Sequence, residues 1–318
     1  MHRTLKPVAI GVAVYNGSRY IRDCLEAIRV QSFVDFDVII SDNASTDDTK
    51  QICMEYVAAD TRFAYYRNER NLGFAPNYNR VFDLSNAKYF KWADHDDLIE
   101  PDFVLKTVDV LERNPEVAIC LSRVTIINDV GAVMHNYDPL PDTSSPIRSN
   151  RFRKLILSPD LAVHSLGMMR SNLIRRTAKF GSFPASDEVF LAHMALLGKF
   201  HEMPERLIKV RFHSGQSTAG PRASQRGRVT LFDTSNRNKF VPVKWTYFQA
   251  CLNAIRHTAL TSREKAACYL TLLRWLLTMR HLKPMIKDVL LMTHEWVPIF
   301  ARLYQGALDE ANAGKDPS

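Results

Sequence analysis

The 318 residues are 46% apolar and 24% charged, enough to bury a substantial core in one large or two modest domains. The five cysteines, Cys24, Cys53, Cys120, Cys251 and Cys268, are scattered without a CxxC pair, which argues against a disulfide framework and a thiolate zinc site and for a reducing compartment. Net charge is +8, yet residues 1–220 balance at 27 basic and 27 acidic while residues 221–302 carry 14 basic against 4 acidic, so the positive excess lies in one C-terminal segment.

Met1 to Pro7 runs into the apolar stretch Val8 to Val14 without a signal-peptide core, so the expectation is a cytoplasmic protein. Val8 to Val14 reads as a first strand. Arg19 to Gln31 follows as a helix with Tyr20, Cys24 and Ile28 on one stripe. Val38 to Ser41 is a second strand, and Ser45 or Asp47 can cap a helix that turns Ile52, Cys53, Tyr56 and Val57 inward. Phe63 to Tyr66, the helix Ala75 to Leu84, and Tyr89 to Trp92 continue the alternation. Short β-branched runs separated by amphipathic segments are the pattern of βαβ units and a mostly parallel sheet.

After an acidic cluster at Asp94 to Asp97, Pro101 fits a first helical turn, and Phe103, Thr107, Val108 and Leu111 carry that helix toward Asn114. Val117 to Ile127 reads as a strand turning at Asp129-Val130-Gly131 into Ala132 to His135. Asp138 to Ser149, with three prolines, reads as a loop. Gly167 to Met169 is a short strand, Asp187 to Leu197 a helix closed by Gly198, and Leu207 to Phe212 a last strand. From Val243 the pattern turns helical, with Trp245, Phe248, Leu252 and Ile255, then Tyr269, Leu272, Leu273, Leu276 and Leu277. Arg274, Arg280, Lys283 and Lys287 interrupt the apolar run short of the ~18 residues needed to cross a bilayer. Basic residues beside Trp and Leu also suit a helix lying on an anionic membrane surface, which a solvated helical face or packing on the core explains equally well. No helix-turn-helix, zinc finger or RNP-like aromatic pattern accompanies the positive charge, so nucleic acid is not an expected partner.

The sharpest local feature is Trp92-Ala93-Asp94-His95-Asp96-Asp97, carboxylates crowded at the end of a predicted parallel strand. Such a cluster is stabilised by a cation, and hard Mg2+ or Mn2+ suits carboxylate plus phosphate oxygen. A lone Asp-x-Asp is weak, but it follows a series in order: Ala9-Ile10-Gly11-Val12-Ala13-Val14-Tyr15-Asn16-Gly17, Gln31-Ser32-Phe33, Val38-Ile39-Ile40-Ser41-Asp42-Asn43-Ala44-Ser45-Thr46-Asp47-Asp48-Thr49, and Asn71-Leu72-Gly73. This ordered set, spanning about the first 215 residues, resembles family 2 glycosyltransferases of the GT-A fold.

The resemblance implies an α/β fold whose mostly parallel central sheet is flanked by helices. It implies a catalytic domain over residues 1–220, with a nucleotide-binding half to about 112 and an acceptor half from 113, followed by a basic helical extension over 221–318. It implies that Tyr15, Asn16, Asp42, Asn71 and Asp94 hold the nucleotide-sugar donor, and that Asp96 ligates Mn2+ or Mg2+. Asp187, in Ser186-Asp187-Glu188, takes the place of the general base, with Glu188 as fallback; the family's usual Glu-Asp pair is absent here, and an N-capping role is the plain alternative. His213, in Arg211-Phe212-His213, is a second metal candidate, and Arg211 can offset phosphate charge. The implied reaction is an inverting transfer of a sugar to a hydroxyl on a glycan or glycolipid of the cell envelope, by a protein on the inner face of the membrane. The alternatives are a nucleotidyltransferase, for which Tyr15-Asn16-Gly17-Ser18 is a poor phosphate loop, and a non-catalytic glycan-binding scaffold.

Overall fold

The computed structural model describes residues 6–137, 143–158, 163–214, 225–278 and 281–289. Strand β1 (Val8–Val14) is buried at every position, as an apolar run at the centre of a parallel sheet must be. Helix α1 (Ile21–Arg29) buries Ile21, Cys24, Leu25 and Ile28 against it. Strand β2 (Phe36–Asp42), helix α2 (Thr49–Ala59), strand β3 (Phe63–Arg67), helix α3 (Phe74–Asp83) and strand β4 (Tyr89–Asp94) complete the first half. All pairings within β3-β2-β1-β4 are parallel.

The second half joins with mixed polarity. Strand β5 (Leu98–Ile99), helix α4 (Phe103–Arg113), the long strand β6 (Val117–Ile127), strand β7 (Val133–Tyr137), helix α5 (Arg148–Leu157), strand β8 (Met168–Arg170), the single turn α6 (Ser171–Ile174), helix α7 (Ser186–Leu197) and strand β9 (Lys199–Arg211) follow. The sheet runs β3-β2-β1-β4-β8-β6-β9-β5, with β7 added beside β6. Strands β6 and β9 pair in parallel, while β8 joins β4 and β6, β7 joins β6, and β5 joins β9 in antiparallel fashion. Helix α8 (Gln225–Phe232), helix α9 (Val243–His257) and helix α10 (Ser262–Leu277) close the described order.

Several sequence expectations shift here. Strand β9 begins at Lys199, eight residues before the expected Leu207, because the register against β6 skips Pro204 and Glu205 between Ser122↔Met203 and Arg123↔Arg206. The bulge absorbs a proline that cannot donate to the ladder. Gly198 ends α7 but not as a left-handed cap: its φ is −162°. A Cβ there would meet the Ala118 Cβ at 2.7 Å and the Glu116 carbonyl at 2.9 Å, so the glycine admits a close approach to β6. Neither Ser186 nor Asp187 caps α7; the N-cap is Ala185, left-handed at φ +68°. Part of the expected loop 138–149 lies outside the described residues, and its end is already helix α5.

Two apolar clusters fill the faces of the sheet. A third, with Phe152, Phe183, Leu196, Cys251, Leu272 and Trp275, joins α5 and α7 to α9 and α10. The stripe that α9 buries is Tyr247, Cys251, Ala254 and Ile255, with Trp245 left 39% exposed, and α10 buries Cys268, Thr271, Leu272 and Trp275. All five cysteines are free and buried. No helix among the described residues is long and apolar enough to cross a membrane.

Candidate active site

The carboxyl ends of β1, β2 and β4 open into one cleft of about 1450 Å³, which β9, α7 and α8 wall on the other sides. Ligands of open α/β sheets bind at this edge. Tyr15, Asn16, Asn71, Asp94, Asp96, Asp187 and His213 all line it; Asp42 does not.

The turn after β1 is pinned to the loop after β2. Asn16, at φ +51°, donates its amide to Ser45 Oγ at 2.9 Å and accepts from the Thr46 amide at 2.8 Å through Oδ1. Gly17 N donates to Thr49 Oγ1, and Ser18 N to Asp47 Oδ2. Burial would raise the Asp47 carboxyl, but hydrogen bonds from Thr49 and Ser18 outweigh it and hold it below its ordinary value. Tyr15 lines the cleft and stays 39% exposed. The Asp42 carboxylate has no exposure: it accepts from Ser45 N at 2.8 Å, from the Tyr65 hydroxyl and from Arg67. Burial, with Asp42 beside it, pushes the Tyr65 phenol up to about 12.

Beside the loop after β2 lies a buried amide network that the sequence gives no periodic signal for. Asn43 Nδ2 donates to Asn71 Oδ1 at 2.9 Å and to the Gly73 carbonyl at 3.1 Å, while Asn68 Nδ2 donates to Asn43 Oδ1 and Asn77 Oδ1, both at 2.9 Å. Asn71 Oδ1 also accepts from Gly73 N. Gly73 sits at φ +95° with the Asp233 backbone where a side chain would be, at 2.7 Å from a built Cβ. A conformation of that kind favours glycine.

The acidic turn after β4 spreads its three carboxylates among different partners. Tyr78 donates its hydroxyl to Asp94, His213 Nε2 stands 2.9 Å from Asp96 Oδ2, and Arg211 N donates to Asp97 Oδ1 at 2.9 Å. Burial, then the neighbouring carboxylates, raises Asp94 and pushes Asp97 well above the usual range. Arg211 is 2% exposed, and its guanidinium donates to the backbone carbonyls of Asp96 and Asp129 and pairs with Asp23 at 3.2 Å. It braces the loops that carry the site. His213 packs on Tyr20, ring centroids 4.7 Å apart. Below the turn, Lys91 is 2% exposed and donates to the carbonyls of Trp92 and Leu166; burial lowers its ammonium to about 8.

Asp187 faces the cleft from the first turn of α7. Burial raises its carboxyl, and first-turn backbone N–H groups and the Arg228 charge act in the other direction. Desolvation and then the Asp187 charge raise Glu188, which is not among the cleft-lining residues and is influenced by Lys244 and Tyr247 of α9. Among the described residues no three His, Cys, Asp or Glu gather into a metal cluster. Asp96 and His213 offer one carboxylate oxygen and one imidazole nitrogen on adjacent atoms, an incomplete donor set that suits an ion also held by phosphate oxygens.

The fold is of GT-A architecture, with the cleft at the carboxyl edge of its sheet. Residues 9–177 match the model of glycosyl transferase family 2, and the chain belongs to that family. Over 217 residues, 67% of this chain and 67% of the relative, it is 27% identical to an uncharacterised glycosyltransferase of Haemophilus influenzae. Its matches to that protein and to a Methanocaldococcus jannaschii glycosyltransferase span 67% and 57% of their lengths. The fold is similar to that of S. aureus TarS 1–349 in complex with UDP-GlcNAc, with a TM-score of 0.63 and 16% identity over 88% of this chain and 79% of that one. It is also similar to the mannosyltransferase PcManGT of Pyrobaculum calidifontis in complex with GDP-Man and Mn2+, with a TM-score of 0.50 and 14% identity over 91% of this chain and 85% of that one.

Sequence reasoning missed Asn43, Asn77, Tyr78 and Phe180, all of which line the cleft. Asn43 stood in a quoted motif without a role. Tyr78 and Phe180 were unreadable because an aromatic residue on a helix or in a loop carries no mark of the cavity it borders.

Proposed function

We propose that the protein is an inverting, metal-dependent glycosyltransferase that moves a sugar from a nucleotide diphosphate sugar to a hydroxyl of a glycan or glycolipid acceptor. The observation that carries this reading is that Asp187 and the Asp96–His213 pair line one and the same cleft. Asp187 removes the proton of the acceptor hydroxyl, that oxygen bonds to the anomeric carbon, and the bond from that carbon to the diphosphate oxygen breaks as the nucleoside diphosphate leaves. Tyr15 stacks on the base, and Asn71 and Asp94 border the ribose and sugar. Asp42 reaches the base only if Arg67 or Tyr65 yields its place. Asp96 and His213 would hold Mn2+ or Mg2+, which supplies Lewis-acid stabilisation of the departing diphosphate. Tyr20 and Arg211 orient this pair and keep water from its far side.

A cytoplasmic location against the inner face of a membrane accompanies this reading. Leu270, Leu273 and Leu277 recur on the open face of α10 at 51%, 47% and 61% exposure, beside Arg274. Incubation with UDP-, GDP- and dTDP-sugars and Mn2+, with release of each nucleoside diphosphate measured with and without acceptor glycans, tests the enzymatic assignment. Absence of release from every donor overturns it in favour of a binding scaffold, and release of pyrophosphate instead would indicate a nucleotidyltransferase.

A further inference from the structure

The cleft is polarised. Its carboxylates, Asp94, Asp96, Asp97 and Asp187, lie along the sheet edge and the start of α7, while Arg226 and Arg237 line it from residues 225–238. That segment is fastened at both ends of the opening. Thr234 N donates to the Leu72 carbonyl at 3.2 Å, Thr234 Oγ1 to the Asn71 carbonyl at 2.9 Å, and Asn236 Nδ2 to the Ser182 carbonyl at 2.9 Å, five residues before Asp187. Phe232 packs on Phe74 at 5.1 Å. The wall is therefore a fixed part of the cleft.

Its charge is not consumed locally. Between residues 225 and 263 seven lysines and arginines accompany one acid, Asp233, whose Oδ1 accepts from Ser235 N at 2.8 Å within its own turn. Neither Arg226 nor Arg237 has an acidic partner among the described residues. Arg228, on the same helix, acts electrostatically on both Asp187 and Glu188, which puts the α8 wall beside the position assigned to the base. Two guanidinium groups with no acidic partner among the described residues, lining one cleft with four carboxylates, suit a ligand that carries its own negative charge at a distance from its reacting hydroxyl. Guanidinium is the side chain best matched to carboxylate and phosphate, through paired N–H donors.

We infer that the wall formed by residues 225–238 is an anion subsite, in which Arg226 and Arg237 take a carboxylate or phosphate carried by the sugar acceptor. This rests on the glycosyltransferase reading for the word acceptor, and on the wall alone for the anion. A neutral acceptor leaves the two arginines facing water; an acidic one pairs them and draws its hydroxyl toward Asp187.

The test is an NMR titration of the full chain with three probes on one ring: methyl glucoside, methyl glucuronide and methyl glucoside 6-phosphate. Each is added with and without pyrophosphate and Mn2+. The expected result is that one or both charged glycosides bind about tenfold tighter than the neutral one, that pyrophosphate with Mn2+ leaves this preference in place, and that the double variant Arg226→Gln, Arg237→Gln erases it. Equal binding of all three probes overturns the inference, as does a preference that survives the double variant. Displacement of the charged glycosides by pyrophosphate with Mn2+ assigns the arginines to the donor diphosphate and also overturns it. Anion preference without transfer from any donor sinks the glycosyltransferase reading and leaves the subsite; transfer without anion preference sinks the subsite alone.

Discussion

Asp187 sits half-buried where the helix N-terminus favours a carboxylate while the surrounding protein thins its hydration, and burial is the larger influence. If it is the base, Asp187→Ala lowers turnover by about 10²–10⁴-fold while nucleotide affinity, read by calorimetry, holds; equal loss of both would remove Asp187 from proton transfer. The raised carboxyl also moves the acid limb of the pH–rate profile above the ~3.9 of an ordinary aspartate. The same shift fixes the sign of a stability effect. A folded-state value raised above the unfolded one gives stability that is present below the unfolded value and lost as pH rises through the folded one. Asp187→Asn is therefore expected to melt higher than the natural chain at neutral pH, with the gain fading toward pH ~3; a lower melting temperature at neutral pH would contradict the burial that this rests on. At this scale the sequence was legible where motif order speaks, as for Asp96, His213 and Asp187 sharing a cleft. It was not legible where tertiary partners decide. Arg211 resembles a phosphate ligand in one dimension and is a buried brace in three, and Asp42, a donor-binding candidate, is enclosed by Tyr65 and Arg67.

Strands β1, β2 and β4 and the helices between them were readable because the strands are short apolar runs buried in the sheet and each helix buries one apolar stripe. Helix α5 was not, since its buried face includes Arg151, which is 3% exposed and donates to the carbonyls of Ala195 and Ser145 at 2.7 and 2.6 Å. A charged residue in an inward position erases the stripe. Helix α7 shows the opposite case, buried on nearly every side, and among its residues is His193, whose Nε2 has no hydrogen-bond partner among the described residues. Burial lowers its imidazole from 6.5 to about 4. A depressed folded value gives stability that is present above the unfolded one and lost as pH falls through the folded one, so urea melts are expected to show stability falling between pH 6.5 and about 4. His193→Gln should flatten that slope; an unchanged slope would assign it to other groups. Helix α10 opens with a capping box in which Thr261 Oγ1 accepts from Glu264 N and Glu264 accepts from Thr261 N, so Thr261→Ala should cost about 1 kcal/mol in denaturant unfolding.

Among the described residues, basic charge and exposed apolar side chains occur together on α10, where Leu270, Leu273 and Leu277 flank Arg274. If the open face of α10 meets a bilayer, flotation with anionic liposomes should recover the protein at low salt and lose most of it at high salt, because attraction between exposed charges is screened beyond a Debye length of about 8 Å at physiological ionic strength. No recovery at low salt rejects the membrane assignment. The α/β architecture was foreseeable from alternating strands and helices, but the packing of α9 and α10 on α5 and α7 was not, because an amphipathic helix announces that it has a buried side without naming its neighbour.

The segment that bridges Leu72 and Ser182 has a bearing on how relatives diverge. The family model matches residues 9–177, whereas Asp187, His213, Arg226 and Arg237 line the cleft from beyond that span. If the wall at residues 225–238 does select the acceptor, two proteins can share the motifs of residues 9–177 and still differ in what they glycosylate.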